Sequence, residues 1–174
     1  MSKIIFILGG ARSGKSNQAV KLAQVSGGKV AFIATGQAKD KEMQQRIKLH
    51  KQNRPAHWHT FENPTAVAAL LKKIGPDFDI LIIDCLTLFI SNLLSKGLSD
   101  MAIESEISCM LKIASSLKAK IIIIANEVGL GIVPKNKLGR RFRDLAGRVN
   151  QKVAEKSAKT FFVVSGLALK IKGR

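Results

Sequence analysis

The sequence predicts an α/β fold: a mostly parallel β-sheet with helices on both faces, forming a single P-loop NTPase-type domain over residues 1–174. Three observations predict it. Apolar runs of strand length recur along the chain, separated by segments with helical spacing, which is the pattern of a parallel sheet buried on both sides. The first run passes through Gly9-Gly10-Ala11-Arg12-Ser13-Gly14-Lys15-Ser16 into the first helical segment, the strand–loop–helix context of a phosphate loop. The length of 174 residues, with 46% hydrophobic residues, supports one compact core and is too short for two full-sized ones.

Each element follows from its local pattern. Lys3–Leu8 (KIIFIL) is a continuous apolar run and reads as a buried strand. Lys15–Val25 has Ala19, Val20, Leu22 and Ala23 at helical spacing. Lys29–Thr35 (KVAFIAT) is a second strand, and Asp40–Arg54 a polar helix stopped near Pro55. His57 and His59 flank Trp58 at alternating spacing, as on one face of a short extended segment. Pro64–Ile74 reads as a helix ended by Gly75-Pro76, and Asp79–Asp84 (DILIID) as a third strand. Leu86–Leu94 is apolar and helical. Ser99 can cap a helix running through Leu117, with Asp100 and Glu104 in its early turns, where the macrodipole favours acids. Lys120–Ala125 (KIIIIA), a long basic helix over Lys137–Ser157, Thr160–Val164 (TFFVV) and a last strand Leu167–Ile171 complete the pattern. The long connections Gly36–Phe61 and Asn126–Gly139 stand where such folds place their chemistry, at the carboxyl ends of parallel strands.

Composition excludes several classes. Hydrophobicity at this level rules out a disordered chain. Apolar runs such as Ile121–Ala125 and Leu81–Ile83 fall far short of a membrane span. The start lacks a small-residue cleavage site, so no signal peptide is expected and the location expected is cytoplasmic. Cys85 and Cys109 both stand among apolar residues and read as reduced core thiols. Lys and Arg number 29 against 12 Asp and Glu, a formal charge of +17, which attracts anions without saying which. The cations are spread along the chain without a block or interleaved aromatics. A basic soluble surface is therefore expected in preference to a dedicated nucleic-acid face.

Gly9–Ser16 fits G-x-x-x-x-G-K-[ST] without a gap. Its glycines let the backbone fold so that several N–H groups point at one phosphate, and the helix N-terminus adds partial positive charge. Lys15 is placed to reach the β- and γ-phosphates, and Ser16 to supply a hydroxyl ligand to Mg²⁺. Such a loop expects an acid at the end of another apolar strand, acting on the metal or its water. Asp84 fits that role. It also stands where it can cap the next helix, and both roles can hold together.

Arg46, His50 and Arg54 fall at i, i+4 and i+8, one face of a helix. Flanking guanidiniums depress protonation of the imidazole. That suits a neutral nucleophile attacking a phosphate whose charge the arginines hold. On spacing alone, a histidine on a solvated basic helix is the preferred reading. His50, His57 and His59 lack metal-ligand spacing, and no acidic or cysteine cluster supports a zinc site. Glu62 can accept from the N1–H and exocyclic amine of guanine, and reads equally as an exposed acid before Asn63-Pro64.

Taken together, these segments resemble one family: the bifunctional adenosylcobinamide kinase / adenosylcobinamide-phosphate guanylyltransferases of cobalamin biosynthesis. The resemblance covers nearly the whole chain in order. It runs through GGARSGKS at Gly9–Ser16, Ile33-Ala34-Thr35, DKEMQQRIKLHKQNRP at Asp40–Pro55, and W-x-T-x-E at Trp58, Thr60 and Glu62. It continues with DCLTLFISNLL at Asp84–Leu94, NEVGLGIVP at Asn126–Pro134 and RFRDLAGRVNQ at Arg141–Gln151. Phe89 departs from it, since the family often has Trp there.

The resemblance implies a RecA-like core assembled as a homo-oligomer, a trimer. It implies two reactions. One transfers the γ-phosphoryl of ATP or GTP, with Mg²⁺, to the aminopropanol hydroxyl of adenosylcobinamide. The other moves GMP from GTP onto that phosphate through a GMP-histidine. The histidine of the RIxxH segment is His50, so the nucleophile role passes to it by resemblance. Nucleotide contacts pass likewise to Gly9, Gly10, Ala11, Arg12, Ser13, Gly14, Lys15 and Ser16, to Ala34, Thr35 and Gly36, to Lys51, Gln52, Asn53 and Arg54, and to Glu62 and Asp84. GTP, ATP and adenosylcobinamide are the partners implied, and nucleic acid is not expected among them. Two other readings stand beside this one. The first is a P-loop small-molecule kinase with no covalent intermediate. The second is a basic P-loop nucleotide switch or nucleic-acid-binding ATPase.

Overall fold

The computed structural model describes residues 3–38, 41–52 and 54–173; the side chains of Glu42, Met43, Arg46, Leu49 and His50 lie outside that description. Strands β1 (Ile4–Gly9), β2 (Val30–Ala34), β3 (His59–Glu62), β4 (Ile80–Asp84), β5 (Lys120–Asn126), β6 (Lys159–Val164) and β7 (Leu167–Lys172) alternate with helices. The helices are α1 (Lys15–Ser26), α2 (Lys41–Gln52), α3 (Val67–Ile74), α4 (Leu86–Ser95), α5 (Asp100–Ser116) and α6 (Lys137–Lys156). The strands form one sheet in the order β3-β2-β4-β5-β1-β6-β7. Every pairing is parallel except β6 with β7.

Strand periodicity sorts the core into two layers. Ile4, Phe6, Leu81, Ile83, Ile121 and Ile123 point to one face, where they pack with α3, α4, α5 and α6. Their alternates Ile7, Ile80, Ile82, Ile122 and Ile124 point to the other, with Ala19 and Ala23 of α1 and with Trp58. Each fully buried Ile or Phe contributes about 1.5–3 kcal/mol of burial. β-branched side chains also suit the pleated, doubly covered strands. Because all six parallel strands point the same way, their carboxyl ends form one rim, and the phosphate loop, Ala34, Glu62, Asp84 and Asn126 all lie along it.

Several sequence expectations shift. The helix expected from Pro64 begins at Val67, because Asn63 Oδ1 accepts from Ala66 N at 2.7 Å and closes a turn over Pro64 and Thr65. The polar helix ends at Gln52, before Arg54. A residue preceding proline is pushed out of the helical region, so Arg54 does not continue the i, i+4 row. Trp58 is buried, whereas His59 begins β3 and sets its ring edge-on to Phe78 at 5.2 Å. Cys85 is buried as expected, but Cys109 is exposed. Ile103, Ile107, Met110 and Leu111 mark the inner face of α5, and position 109 falls outside it.

Candidate active site

The phosphate loop is held by the sheet rather than by its own residues. A Cβ at Gly9 would stand 2.2 Å from the carbonyl oxygen of Val163 on β6, so the adjacent strand admits only glycine. The Gly9 carbonyl accepts from Glu127 N at 3.0 Å, and Ser13 O accepts from Gly166 N at 2.9 Å in the β6–β7 turn. Gly14 is the N-cap of α1, with φ 100° in the left-handed region. A Cβ there would also sit 3.2 Å from Gly166 Cα. Arg12 is left-handed as well, at φ 57°, a strained position typical of functional loops. Gly10, Ala11 and Arg12 are exposed to an incoming ligand.

Lys15 is the first residue of α1 and is buried; its Nζ donates to Gly10 O inside the loop. Burial holds its ammonium below the ordinary lysine range, opposed by the neighbouring Asp84 carboxylate. A phosphate oxygen would offer that ammonium a full charge where it now has a carbonyl dipole. Ser16 Oγ donates to Asp84 Oδ2 at 2.8 Å. A hydroxyl and a carboxylate this close, beside a phosphate cradle, form a hard-oxygen donor set that fits Mg²⁺ or its water ligands. Asp84 is therefore committed to Ser16 and does not cap α4. Cys85 takes that place, its Sγ accepting from Leu88 N at 3.4 Å. Burial, then the Asp84 charge, pushes the Cys85 thiol up to about 12, so it carries no nucleophilic thiolate.

Around Arg54 the geometry is different. Its guanidinium stacks over the Phe32 ring at 3.5 Å, and Nη1 is buried without a hydrogen-bond partner. Burial lowers its affinity for the proton, while the charges of Asp84 and Glu62 sustain it. An orphaned donor on a fixed, partly desolvated cation is a site prepared for an anion. Lys51 Nζ donates to Glu62 Oε1 at 2.6 Å, with both side chains about half exposed or more. That bond, chiefly, holds the Glu62 carboxyl below its ordinary range. A cavity of about 540 Å³ runs along α2, lined by Ala38, Gln44, Ile47, Lys48, Lys51 and Gln52. A second, of about 450 Å³, opens from Gly14 and is bordered by Asn17, Gln18 and Lys21.

Not every expected contact is free to serve. Thr35 is fully buried. Its hydroxyl donates to Cys85 O at 2.7 Å and accepts from Cys85 N at 2.8 Å. Its N–H goes to Asp84 O and its carbonyl accepts from Asn92 Nδ2 at 2.8 Å. Thr35 is thus a junction, with Ala34 and Gly36 half-buried on either side of it. Asn53 and the side chain of His50 lie outside the described residues. Sequence reasoning missed Phe32 as the platform under Arg54, and it missed Thr87 and Asn92. The available signal was the polar Thr87 and Asn92 inside the largely apolar helix LTLFISNLLS, both of them buried.

The family model described as cobinamide kinase / cobinamide phosphate guanyltransferase matches residues 5–171. The chain is 46% identical over 167 residues, 96% of each chain, to the bifunctional adenosylcobalamin biosynthesis protein CobP of Pseudomonas aeruginosa. It is 40% identical over 182 residues, 97% of this chain and 99% of the other, to the bifunctional protein CobU of Salmonella typhimurium. Among solved structures, the RadB recombinase superposes with a TM-score of 0.55 at 13% identity, covering 98% of this chain and 81% of that one. That likeness concerns the fold alone, an α/β domain built on a mostly parallel sheet.

Proposed function

This chain belongs to the cobinamide kinase / cobinamide phosphate guanyltransferase family, and on that premise we propose that it carries out both reactions on adenosylcobinamide. In the first, the acceptor hydroxyl attacks the γ-phosphorus of ATP or GTP. The bond to the bridging oxygen breaks, and the nucleoside diphosphate leaves. In the second, an imidazole nitrogen of His50 attacks the α-phosphorus of GTP and pyrophosphate leaves. An oxygen of the acceptor's phosphate then displaces the histidine, breaking the P–N bond and forming a P–O–P phosphoanhydride bond that links GMP to the acceptor.

The single observation that carries this reading is the pairing of two anion sites on one rim. One is the phosphate loop, with Lys15 buried beneath it. The other is Arg54, whose buried Nη1 has no partner and whose guanidinium feels Asp84 and Glu62. Phosphoryl transfer consists largely of positioning and charge neutralisation. Two such sites let one chain address the γ- and the α-phosphate from different directions. Ser16 and Asp84 would hold Mg²⁺, which when bound supplies neutralisation of the triphosphate oxygens. Glu62 would read guanine by exchanging its bond to Lys51 for the base, beside the cavity along α2. The apolar runs and the RecA-like fold are compatible with a cytoplasmic homo-oligomer. Among the described residues no helix is long and apolar enough to cross a membrane.

Intact mass spectrometry after incubation with Mg·GTP tests the proposal. The protein should gain the mass of one GMP, in a linkage that breaks in acid and survives alkali, as a phosphoramidate does. His50→Ala should lose the adduct and guanylyl transfer while keeping phosphoryl transfer, and His57→Ala and His59→Ala should still be labelled. A label persisting in His50→Ala would remove His50 as the nucleophile.

A further inference from the structure

Helix α4 starts directly behind Asp84 and is apolar except for a few side chains. Asn92 is 7% exposed. Its Nδ2 donates both hydrogens, to Thr35 O at 2.8 Å and to Pro64 O at 3.0 Å. Thr35 follows β2, and Pro64 follows β3 by one residue after Asn63. One carbonyl belongs to the loop that carries Gly36 after β2, the other to the loop that follows Glu62, the last residue of β3. Asn63 N closes the same gap by donating to Ala34 O at 2.9 Å. On the opposite side of α4, Thr87 Oγ1 accepts from Asn126 N at 2.7 Å. One short helix therefore fixes loops on both sides of Asp84.

We infer that Asn92 is a positioning residue for guanine recognition: it sets the spacing between the β2 and β3 ends and, through Pro64 and Asn63, the place of the Glu62 carboxylate. The inference rests on the reading of Glu62 as the guanine partner. A buried amide inside an apolar helix is costly unless its donors are satisfied. If packing alone mattered, leucine would serve here. Thr35 spends its N–H, hydroxyl and carbonyl inside the protein and has no donor left to adjust, so Asn92 is the only described side chain that bonds to both the β2 and the β3 ends. Glu62 itself is exposed and held by one exchangeable lysine, so the accuracy of its position must come from the backbone behind it.

The test uses Asn92→Leu, which keeps the branched shape at a larger volume and removes both donors, and Asn92→Ser, which is smaller and can donate one hydrogen bond. Affinities for GTP and ATP are measured by calorimetry on each full-length variant. Asn92→Leu should bind GTP about tenfold more weakly with ATP affinity within about twofold, the size expected for losing backbone-anchored hydrogen bonds at a reader. Guanylyl transfer should show the loss in KM for GTP and keep kcat. The same substitution placed on Glu62→Ala should change the GTP:ATP ratio no further. Equal losses for both nucleotides, a loss confined to kcat, or an additive loss on Glu62→Ala would overturn the inference. Failure of both Asn92 variants to fold would also overturn it, making Asn92 a core residue. If Glu62→Ala leaves the GTP:ATP ratio untouched, the Glu62 reading itself has failed. If Glu62→Ala lowers the ratio and Asn92→Leu does not, the failure belongs to Asn92 alone.

Discussion

The phosphate-loop side of the rim and the α2 side are built to different tolerances. On the first, Lys15 is buried, Gly9 is pressed against β6, Ser16 is bonded to Asp84, and the loop is tied to Gly166 and Glu127 by backbone hydrogen bonds. On the second, one guanidinium lies on one aromatic ring, and an exposed ion pair joins Lys51 to Glu62. The proposed function asks different things of the two sides. Every nucleoside triphosphate presents the same phosphates, so that half can be fixed by the core. Base recognition and attack at the α-phosphate require groups that can exchange partners, and exposed ion pairs contribute only about 0–1 kcal/mol, which leaves them free to do so.

The largest effect should come from breaking the fixed half. Lys15→Ala should lower both phosphoryl and guanylyl transfer by on the order of a hundredfold or more, measured as initial rates with a saturating acceptor. Wild-type guanylyl transfer in that variant would mean that the two reactions do not share the loop. Next in size is Arg54→Lys. The substitution keeps the charge and loses the planar stack on Phe32. GTP should bind about tenfold more weakly, and an unchanged dissociation constant would take Arg54 out of the site. Glu62→Ala should cost GTP more than ATP by about 1 kcal/mol, the low end of the range for an unmatched partner, because the side chain is 62% exposed. Equal losses by calorimetry would remove it as the reader.

The smallest effect separates the halves by pH. Lys15 has a lowered pKa, chiefly from burial. Raising the pH therefore discharges it before an ordinary lysine, and affinity for both nucleotides falls together on the alkaline side. Glu62 also has a lowered pKa, chiefly from its bond to Lys51. It keeps its charge to lower pH than an ordinary carboxylate, and preference for GTP over ATP should fade as the pH falls through that lowered value. A single transition moving affinity and preference together would contradict a site made of two independently anchored parts.

The same division explains what the sequence made legible. Strands β1, β2, β4 and β5 are apolar runs with sharp ends, so strand alternation and the motif at Gly9–Ser16 locate both the sheet and the fixed half of the site. Asp84 follows from its place at the end of β4. Its commitment to Ser16 rather than to the cap of α4 does not, because that choice depends on a fold that brings together two side chains 68 positions apart in the chain. The α2 side is less legible still. Helical spacing groups Arg54 with Arg46 and His50, but Pro55 ends the helix early and hands Arg54 to Phe32, a partner 22 positions away in the chain. Side-chain spacing along one element cannot report a contact made across two of them. The family resemblance supplied what spacing could not, namely the nucleophile role expected of His50.

The 2.2 Å approach of a Gly9 Cβ to the Val163 carbonyl also limits what can be moved elsewhere. The eight residues Gly9–Ser16 look like a portable cassette. Their first residue, however, is shaped by a strand that enters the chain 150 residues later, and their middle is hydrogen-bonded to the turn beyond it. Transplanting the loop into a foreign strand–helix unit would carry over the letters and leave the mould behind. A working graft of this nucleotide cradle would need β1, α1, β6 and the β6–β7 turn as one piece, although they lie at opposite ends of the polypeptide.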